Sequence, residues 1–278
     1  MPHWFKIENN TVDFRSDKEY IPLIHACEIT VHHIMKNYPA PYHLMVTGGL
    51  DSQLVLYSWL NFGRDYIPTH VTYNKILNHH DQVTLIQFCD KFKLTINFKD
   101  FDLLGFYQNS YDSFAKKYKL ISPHFAAHLA FAEDLPGTVI YSGDRIWQRP
   151  NIHTGNICLY EHSLYKNIVP YFLMETPQIA YSLQYYIKNL DSKSKFDYRQ
   201  RDKILLNEGI PVIVPLRKFT GFELVKNYYD YNFPIDVKTK LQYATRPSPR
   251  SFDLILRYPY EDLFLKKEIL YLVNSLHH

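Results

Sequence analysis

The chain has 278 residues, 46% of them hydrophobic and 21% charged, which is typical of a globular protein with one domain and an appendage, or with two small domains. Its net charge of +3 is too small to indicate nucleic-acid binding by itself, and its scattered cysteines (Cys27, Cys89, Cys158) argue against a disulfide framework or a cysteine-built zinc site. No apolar run approaches the ~20 residues of a membrane span and no signal peptide is recognisable, so we expect a cytoplasmic protein without a membrane partner.

The N-terminal unit, residues 1–40, is predicted to contain a hairpin and a helix. Within Trp4–Arg15, short apolar runs flank the turn residues Asn9-Asn10. A helix is expected from about Lys18 to Asn37, where apolar residues recur at helical spacing before two prolines end it.

Strands and helices then alternate over residues 41–150. This alternation implies right-handed crossovers and a parallel sheet, and ligands in such sheets bind outside the carboxyl ends of the strands. The predicted strands are Tyr42–Val46, Ile67–Tyr73, a third one carrying Leu94, Ile96 and Phe98, and Thr138–Tyr141; the predicted helices are Leu54–Phe62, Asn78–Phe92 and Ser122 to about Asp134.

The remaining part, residues 151–278, is expected to be mainly helical. Ser163–Asn189 reads as largely helical, and Asp191–Asp202 as a surface loop or helix. Val212–Val214 is predicted to be a short strand between two prolines, and a closing helix is expected after Tyr258. We therefore expect an α/β fold whose parallel-sheet domain lies between a small N-terminal unit and a C-terminal region that serves the substrate.

One segment carries recognisable chemistry: Thr47-Gly48-Gly49-Leu50-Asp51-Ser52. It joins a buried strand to a helix through two glycines. Glycines let backbone N–H groups approach a polyanion and take unusual φ values, and a helix N-terminus offers unpaired donors with a partial positive charge. The two hydroxyls can add donors, whereas an ionised Asp51 beside phosphates makes sense mainly with Mg²⁺ between them. The pattern thus predicts a phosphate-binding loop, although a plain strand–turn–helix junction has the same appearance.

This segment resembles the pyrophosphatase loop, S-G-G-x-D-S, of the N-type ATP pyrophosphatases, among them the synthetase domains of asparagine synthetase and β-lactam synthetase. Four of five fixed positions match, and Thr47 keeps the hydroxyl of the first serine. The resemblance covers about 42–150. It implies an adenine nucleotide alpha hydrolase-like (HUP, Rossmann-like) domain that binds ATP with Mg²⁺.

The resemblance also implies roles for the ends of two further strands. Ser142, Gly143 and Asp144 follow the fourth predicted strand, where relatives hold Mg²⁺ with an acid, so Asp144 is expected to share the ion with Asp51. Arg145 replaces the glutamate that is usual in the family, and a solvated turn remains the alternative. Adenine is expected against the backbone of Val71, Thr72 and Tyr73, which is compatible with ordinary strand packing.

Two basic residues after the predicted strand 212–214 are candidates for the phosphates. Arg217 and Lys218 stand beside a glycine turn, and relatives often bring basic residues from the C-terminal part over the pyrophosphate. A solvated turn is an equally good interpretation of this stretch. Together with the two acids, Asp51 and Asp144, they complete the predicted catalytic set.

The implied reaction is attack of a substrate oxygen on the α-phosphorus of ATP, which gives an adenylated intermediate and pyrophosphate; an amine then displaces AMP. A complete asparagine synthetase begins with a glutaminase domain and a cysteine after Met1, whereas Pro2 stands here, so ammonia would come from solvent or a partner, or another amine is used. The leading interpretation is an AMP-forming ligase acting on a small-molecule acceptor. A tRNA- or nucleobase-modifying enzyme and a nucleotide-binding module without turnover remain alternatives.

Overall fold

The computed structural model describes residues 6–8, 11–13, 21–73, 79–102, 105–118, 126–142, 167–189 and 200–213. The predicted N-terminal hairpin is confirmed, because β1 (Lys6–Glu8) pairs antiparallel with β2 (Thr11–Asp13) in a sheet of two strands. No helix within these ranges is long and apolar enough to cross a membrane.

Over the described residues, the main sheet has five strands, all parallel, in the order β5-β4-β3-β6-β7. The first strand of this sheet along the chain lies at its centre; the next two are added on one side and the last two on the other, which is a doubly wound, Rossmann-like topology. The predicted α/β class with a parallel sheet is therefore confirmed. The strands are β3 (Tyr42–Met45), β4 (Tyr66–Tyr73), β5 (Asn97–Phe101), β6 (Thr138–Tyr141) and β7 (Ile168–Val169).

Helices connect and cover these strands. A π-helical turn at Phe106–Ser110 runs directly into the fourth helix, and a 3₁₀ turn at Phe172–Met174 follows the last strand. The α-helices are α1 (Leu23–Asn37), α2 (Leu50–Phe62), α3 (His79–Phe92), α4 (Tyr111–Tyr118), α5 (Ala126–Glu133), α6 (Pro177–Asn189) and α7 (Gln200–Asn207).

Aromatic contacts show that α2 and α5 cover opposite faces of the sheet. Trp59 of α2 is fully buried against Tyr42, with ring centroids 4.9 Å apart, and also contacts Tyr66. His128 of α5 packs on Tyr141, at 5.6 Å between ring centroids. Tyr42 and Tyr141 lie three steps apart in the register of β3 and β6, so their side chains point to opposite sides.

Helices α6 and α7 pack on the same layer as α1 and α2. Helix α6 lies against α1, and α7 lies against α2. The side chain of Glu208 accepts the first helical N–H of α1, from Leu23, at 2.7 Å, and the hydroxyl of Ser182 donates to the carbonyl of Ile21 at 2.8 Å. These contacts satisfy polar groups at the beginning of α1, whose N-cap residue is a proline without a side-chain cap.

The structure revises several predicted boundaries. The third strand lies three residues later than predicted, at Asn97–Phe101, and α2 begins at Leu50, directly after the glycines. In the described part of Ser163–Asn189, the predicted helical content is confirmed at Phe172–Met174 and Pro177–Asn189. The strand β7 precedes them, adds the fifth strand and carries the sheet past residue 150. Residues 211–213 form no strand.

Helix α4 lies in a stretch for which no element is predicted above. Its buried Tyr111 and Phe114 recur at helical spacing and contact the aromatic side chain of Phe106, so the signal was present in the sequence.

Candidate functional site

The segment Thr47–Ser52 lies where the winding of the sheet reverses. Strand β3 is flanked by β4 on one side and by β6 on the other, with Met45 beside Thr69 and beside Tyr141. Because α2, which follows β3, and α5, which precedes β6, cover opposite faces of the sheet, a crevice forms outside the carboxyl ends of these two strands. Of the predicted site residues, Ser142 is thereby brought next to the segment, since it directly follows the end of β6.

Inside the loop, the two hydroxyls bind each other and the backbone. The N–H of Thr47 donates to Oγ of Ser52 at 3.0 Å, and the two hydroxyl oxygens are 3.3 Å apart. The N–H of Gly49 donates to Oγ1 of Thr47 at 3.2 Å. Ser52 is buried whereas Thr47 is exposed, so the hydroxyl of Ser52 is an internal brace and that of Thr47 remains accessible to a ligand.

Two buried side chains bind the carbonyl groups of the loop. Nδ1 of His70, on β4, donates to the carbonyl of Val46 at 2.8 Å. Nε2 of Gln53 donates to the carbonyl of Gly48 at 2.9 Å. Both side chains are fully buried. Since a carbonyl oxygen carries partial negative charge, these contacts turn two of the loop's repulsive groups away from any anion in the crevice.

Helix α2 begins at Leu50, directly after the two glycines, as expected for a phosphate-binding loop. Gly49 is its N-cap residue and makes no side-chain cap, and the first intrahelical bond runs from the N–H of Gln53 to the carbonyl of Gly49 at 3.0 Å. The N–H groups of Leu50, Asp51 and Ser52 belong to the first turn of the helix, which carries the positive end of the helix dipole.

One detail of the glycine argument is corrected by this geometry. Gly49 has φ −68°, and Gly48 is not among the described residues with positive φ, so neither uses a left-handed conformation. Their contribution is the absence of a side chain where the backbone is approached. Leu50 is buried in the core and anchors the turn, whereas Asp51 is half-buried in the first helical turn, where the dipole favours a carboxylate.

The end of β4 projects past the end of β3. Thr69 is the last β4 residue paired with β3, so Val71, Thr72 and Tyr73 extend beyond the last residue of β3 while remaining paired with β5. All three side chains are buried, and the hydroxyl of Thr72 donates to the carbonyl of Lys99 at 3.3 Å. The predicted adenine-binding residues therefore lie at the same edge of the sheet as the loop.

The tyrosine beside this crevice is held protonated. Burial raises the pKa of the Tyr141 phenol well above its usual value, and nearby Tyr73 raises it further. The hydroxyl of Tyr141 donates to the carbonyl of His128 at 2.6 Å. Tyr141 is thus a packing residue of the sheet and not a proton acceptor at neutral pH.

Several predicted site residues lie outside the described residues: Gly143, Asp144, Arg217 and Lys218. Within the described ranges, no group of three or more His, Cys, Asp or Glu residues is arranged to hold a metal ion. Asp51 is therefore the one predicted metal ligand whose place in the fold is described.

His70 and Gln53 are site residues that motif reasoning missed. The sequence does show polar residues within stretches that are otherwise predicted to be buried. Gln53 precedes the apolar run Leu54–Leu56, and His70 lies within a predicted strand. Polar side chains at buried positions need partners, and here the partners are loop carbonyls.

No protein-family model matches the chain, and no curated protein is significantly similar to it.

Proposed function

We propose that the chain binds ATP through Thr47–Ser52 and cleaves it between the α- and β-phosphates to adenylate an acceptor. The observation that carries this proposal is the position of the loop at the switch point of the sheet, with the first turn of α2 behind it and two carbonyls turned inward. The finer fold type that goes with it is the adenine nucleotide alpha hydrolase-like domain.

The first-turn amides of Leu50, Asp51 and Ser52 are the groups best oriented for the β- and γ-phosphates. The amide of Gly49 is a weaker candidate than the sequence predicts, because it already donates to Thr47. If the hydroxyl of Ser52 donates to Oγ1 of Thr47, the proton of Thr47 is left to point at a ligand oxygen. The exposed Thr47 hydroxyl is then a phosphate donor.

The residues present fit a magnesium ion bound together with the nucleotide. Mg²⁺ is usually held by one or two carboxylates plus phosphate oxygens and water, so it does not need a preformed protein cage. Asp51 would supply one carboxylate from the first turn of α2, and Asp144, which follows β6, would supply the second. When bound, the ion would offset charge on the leaving pyrophosphate.

The position of Ile213 supports the proposed role of Arg217 and Lys218. Ile213 is hydrogen-bonded to Gln53, which also binds Gly48 of the loop. Lys218 lies five positions after Ile213 in the sequence, a span of up to roughly 17 Å in an extended chain. A basic side chain from this segment is therefore within reach of phosphates held at the loop.

In the proposed reaction, an acceptor oxygen forms a bond to the α-phosphorus while the bond from that phosphorus to the α–β bridging oxygen breaks. The electron pair leaves with pyrophosphate, whose charge the loop amides and the basic side chains stabilise. An amine then attacks the activated carbon of the acceptor, and AMP departs. The protein contributes orientation and electrostatic stabilisation, which suits a loop that is rigid before the nucleotide arrives.

The test is incubation of the full chain with ATP, Mg²⁺ and a pool of small metabolites, with tRNA supplied in a separate reaction, followed by mass analysis. We expect AMP and pyrophosphate in equal amounts, together with one acceptor that changes mass. ADP and phosphate as products would overturn the assignment. Nucleotide binding without product in either reaction would reduce the protein to a binding module.

Asp51→Asn sharpens this test because it keeps the shape of the side chain and removes the charge. We expect turnover to fall on the order of 10²-fold or more, the range seen when a group that stabilises transition-state charge is lost. Asp90→Asn, at an exposed position of α3, is the matched control and should keep wild-type turnover. Equal activity of the two variants would remove Asp51 from the mechanism.

A further inference from the structure

The side-chain amide of Gln53 joins the loop to a distant part of the chain. Nε2 donates to the carbonyl of Gly48 at 2.9 Å and to the carbonyl of Ile213 at 2.8 Å, while Oε1 accepts the N–H of Ile213 at 2.7 Å. Both amide protons and the carbonyl oxygen are thus used. Towards Ile213, the side chain acts as a neighbouring strand would, since it binds both backbone groups of one residue.

The contact with Gly48 fixes the peptide plane between the two glycines. The carbonyl of Gly48 points inward to Gln53, and the N–H of Gly49, on the other side of the same plane, donates to Thr47. Rotation of this peptide would break both bonds and turn a carbonyl oxygen towards the crevice. Gln53 therefore maintains the orientation that an anion requires.

The contact with Ile213 depends on how the preceding segment docks. Leu205 and Ile210 are fully buried, and α7 packs on α2, so the chain is anchored up to Ile213. If Ile213 withdrew, the buried amide of Gln53 would lose two of its three partners and would have to find others. The order of the loop and the docking of residue 213 are thus linked through one side chain.

We propose that Gln53 is a positioning residue that couples nucleotide binding at Thr47–Ser52 to the docking of the chain at Ile213, so that each stabilises the other. This inference rests on the proposed binding of ATP at that loop. Since coupling between two sites is reciprocal, a nucleotide that orders the loop must also hold Ile213 more firmly.

The experiment follows the hydrogen exchange of the Ile213 amide in protein labelled at isoleucine, with and without Mg²⁺ and α,β-methylene-ATP, an analogue that cannot be cleaved between those phosphates. The affinity for the analogue is measured by calorimetry in parallel. Gln53→Met keeps the length of the side chain and removes every hydrogen bond. Gln53→Glu keeps an acceptor for Ile213 and removes both donors. Ser58→Ala is the control, a buried serine on α2 whose hydroxyl donates within the helix to Leu54.

In the wild type, we expect the analogue to slow the exchange of the Ile213 amide. Gln53→Met should bind the analogue about tenfold more weakly, which corresponds to about 1.4 kcal/mol, and should lose the nucleotide-dependent protection. Gln53→Glu should retain part of the basal protection but not its response to nucleotide, and Ser58→Ala should behave as the wild type. A purely structural role for Gln53 would leave the affinity of the folded variants unchanged.

Two results are decisive even if the variants fold poorly. A wild type that binds the analogue while the exchange of Ile213 stays constant overturns the inference alone. A wild type that binds no analogue overturns the proposed function and the inference with it. Wild-type affinity in a folded Gln53→Met protein likewise rules out the coupling.

Discussion

Replacement of Ser52 by alanine tests whether the loop is braced from within. In the native chain, Oγ of Ser52 accepts the N–H of Thr47 at 3.0 Å and lies 3.3 Å from Oγ1 of the same residue. Alanine removes both contacts and leaves the helix otherwise intact. The variant loop then lacks the hydrogen bonds that join Thr47, at the end of β3, to Ser52, in the first turn of α2.

The expected loss of stability in Ser52→Ala depends on how deeply Ser52 and Thr47 are buried. A neutral hydrogen bond contributes roughly 0.5–1.5 kcal/mol net, and an unsatisfied buried group costs about 1–3 kcal/mol. Because Thr47 is exposed, water can replace part of the lost contact, so the lower range applies. We expect the free energy of unfolding to fall by about 1 kcal/mol. If the same contact must be replaced when a nucleotide binds, the affinity falls by about fivefold, since 1.4 kcal/mol corresponds to a factor of ten.

The assay compares Ser52→Ala with Ser58→Ala. Both changes replace a buried serine of α2, so the gain in helix propensity largely cancels in the difference. The hydroxyl of Ser58 contacts the carbonyl of Leu54 at 2.7 Å and the thiol of Cys27, neither of which belongs to the loop. Denaturant unfolding gives the stabilities, and calorimetry with α,β-methylene-ATP gives the affinities. If both variants lose equal stability and equal affinity, the hydroxyl of Ser52 has no special role in the loop.

Three further predictions concern the surroundings of the loop. His70→Phe keeps a ring in place but removes the donor to the loop carbonyl, so denaturant unfolding should show a loss of about 1–3 kcal/mol, and wild-type stability would contradict this. Gly209→Ala, at φ +74° with open space around it, should cost about 1–2 kcal/mol, whereas Gly137→Ala, at φ +72° and against the carbonyl oxygen of Pro41, should cost clearly more; equal losses would refute the difference. Burial raises the pKa of the Cys27 thiol from 9.0 to about 12, so the free energy of unfolding should fall as pH rises from about 9 to about 12, and alkylation of this residue at pH 9, followed by mass spectrometry, should require unfolding.

The central strands were predictable because local sequence determines them. The predicted stretches 42–46, 67–73 and 138–141 are rich in aliphatic, β-branched and aromatic residues and lie between turn residues, and the structure has strands there within one residue at each end. Strand β7 was not predictable in the same way, since it consists of Ile168 and Val169 alone. Two residues carry no period, and this strand exists because β6 offers a free edge for pairing.

The candidate site was predictable in its location but not in its internal contacts. The segment Thr47–Ser52 shows its strand, its glycines and its helix start within a few residues, which is enough to place it at the end of a strand. The contact between His70 and Val46 spans 24 residues, and that between Gln53 and Ile213 spans 160. Separations of this size depend on the order of strands in the sheet and on the docking of α7, which no local pattern encodes.

The hydroxyl groups show why a motif alone describes the loop incompletely. From the pattern, both Thr47 and Ser52 are expected to face phosphate, yet the folded chain uses Ser52 to accept the backbone N–H of Thr47. A backbone donor at a half-buried strand end needs an acceptor whether or not a ligand is present, so one hydroxyl is committed to the fold. The inward carbonyls of Val46 and Gly48 are satisfied in the same way, by side chains from β4 and α2. With these groups bound in advance, binding of a nucleotide as proposed would cost less entropy of ordering the loop, and the first-turn amides would be the donors offered to it. In the proposed function, selectivity of this crevice for an anion would therefore depend as much on residues outside the hexapeptide as on the hexapeptide itself.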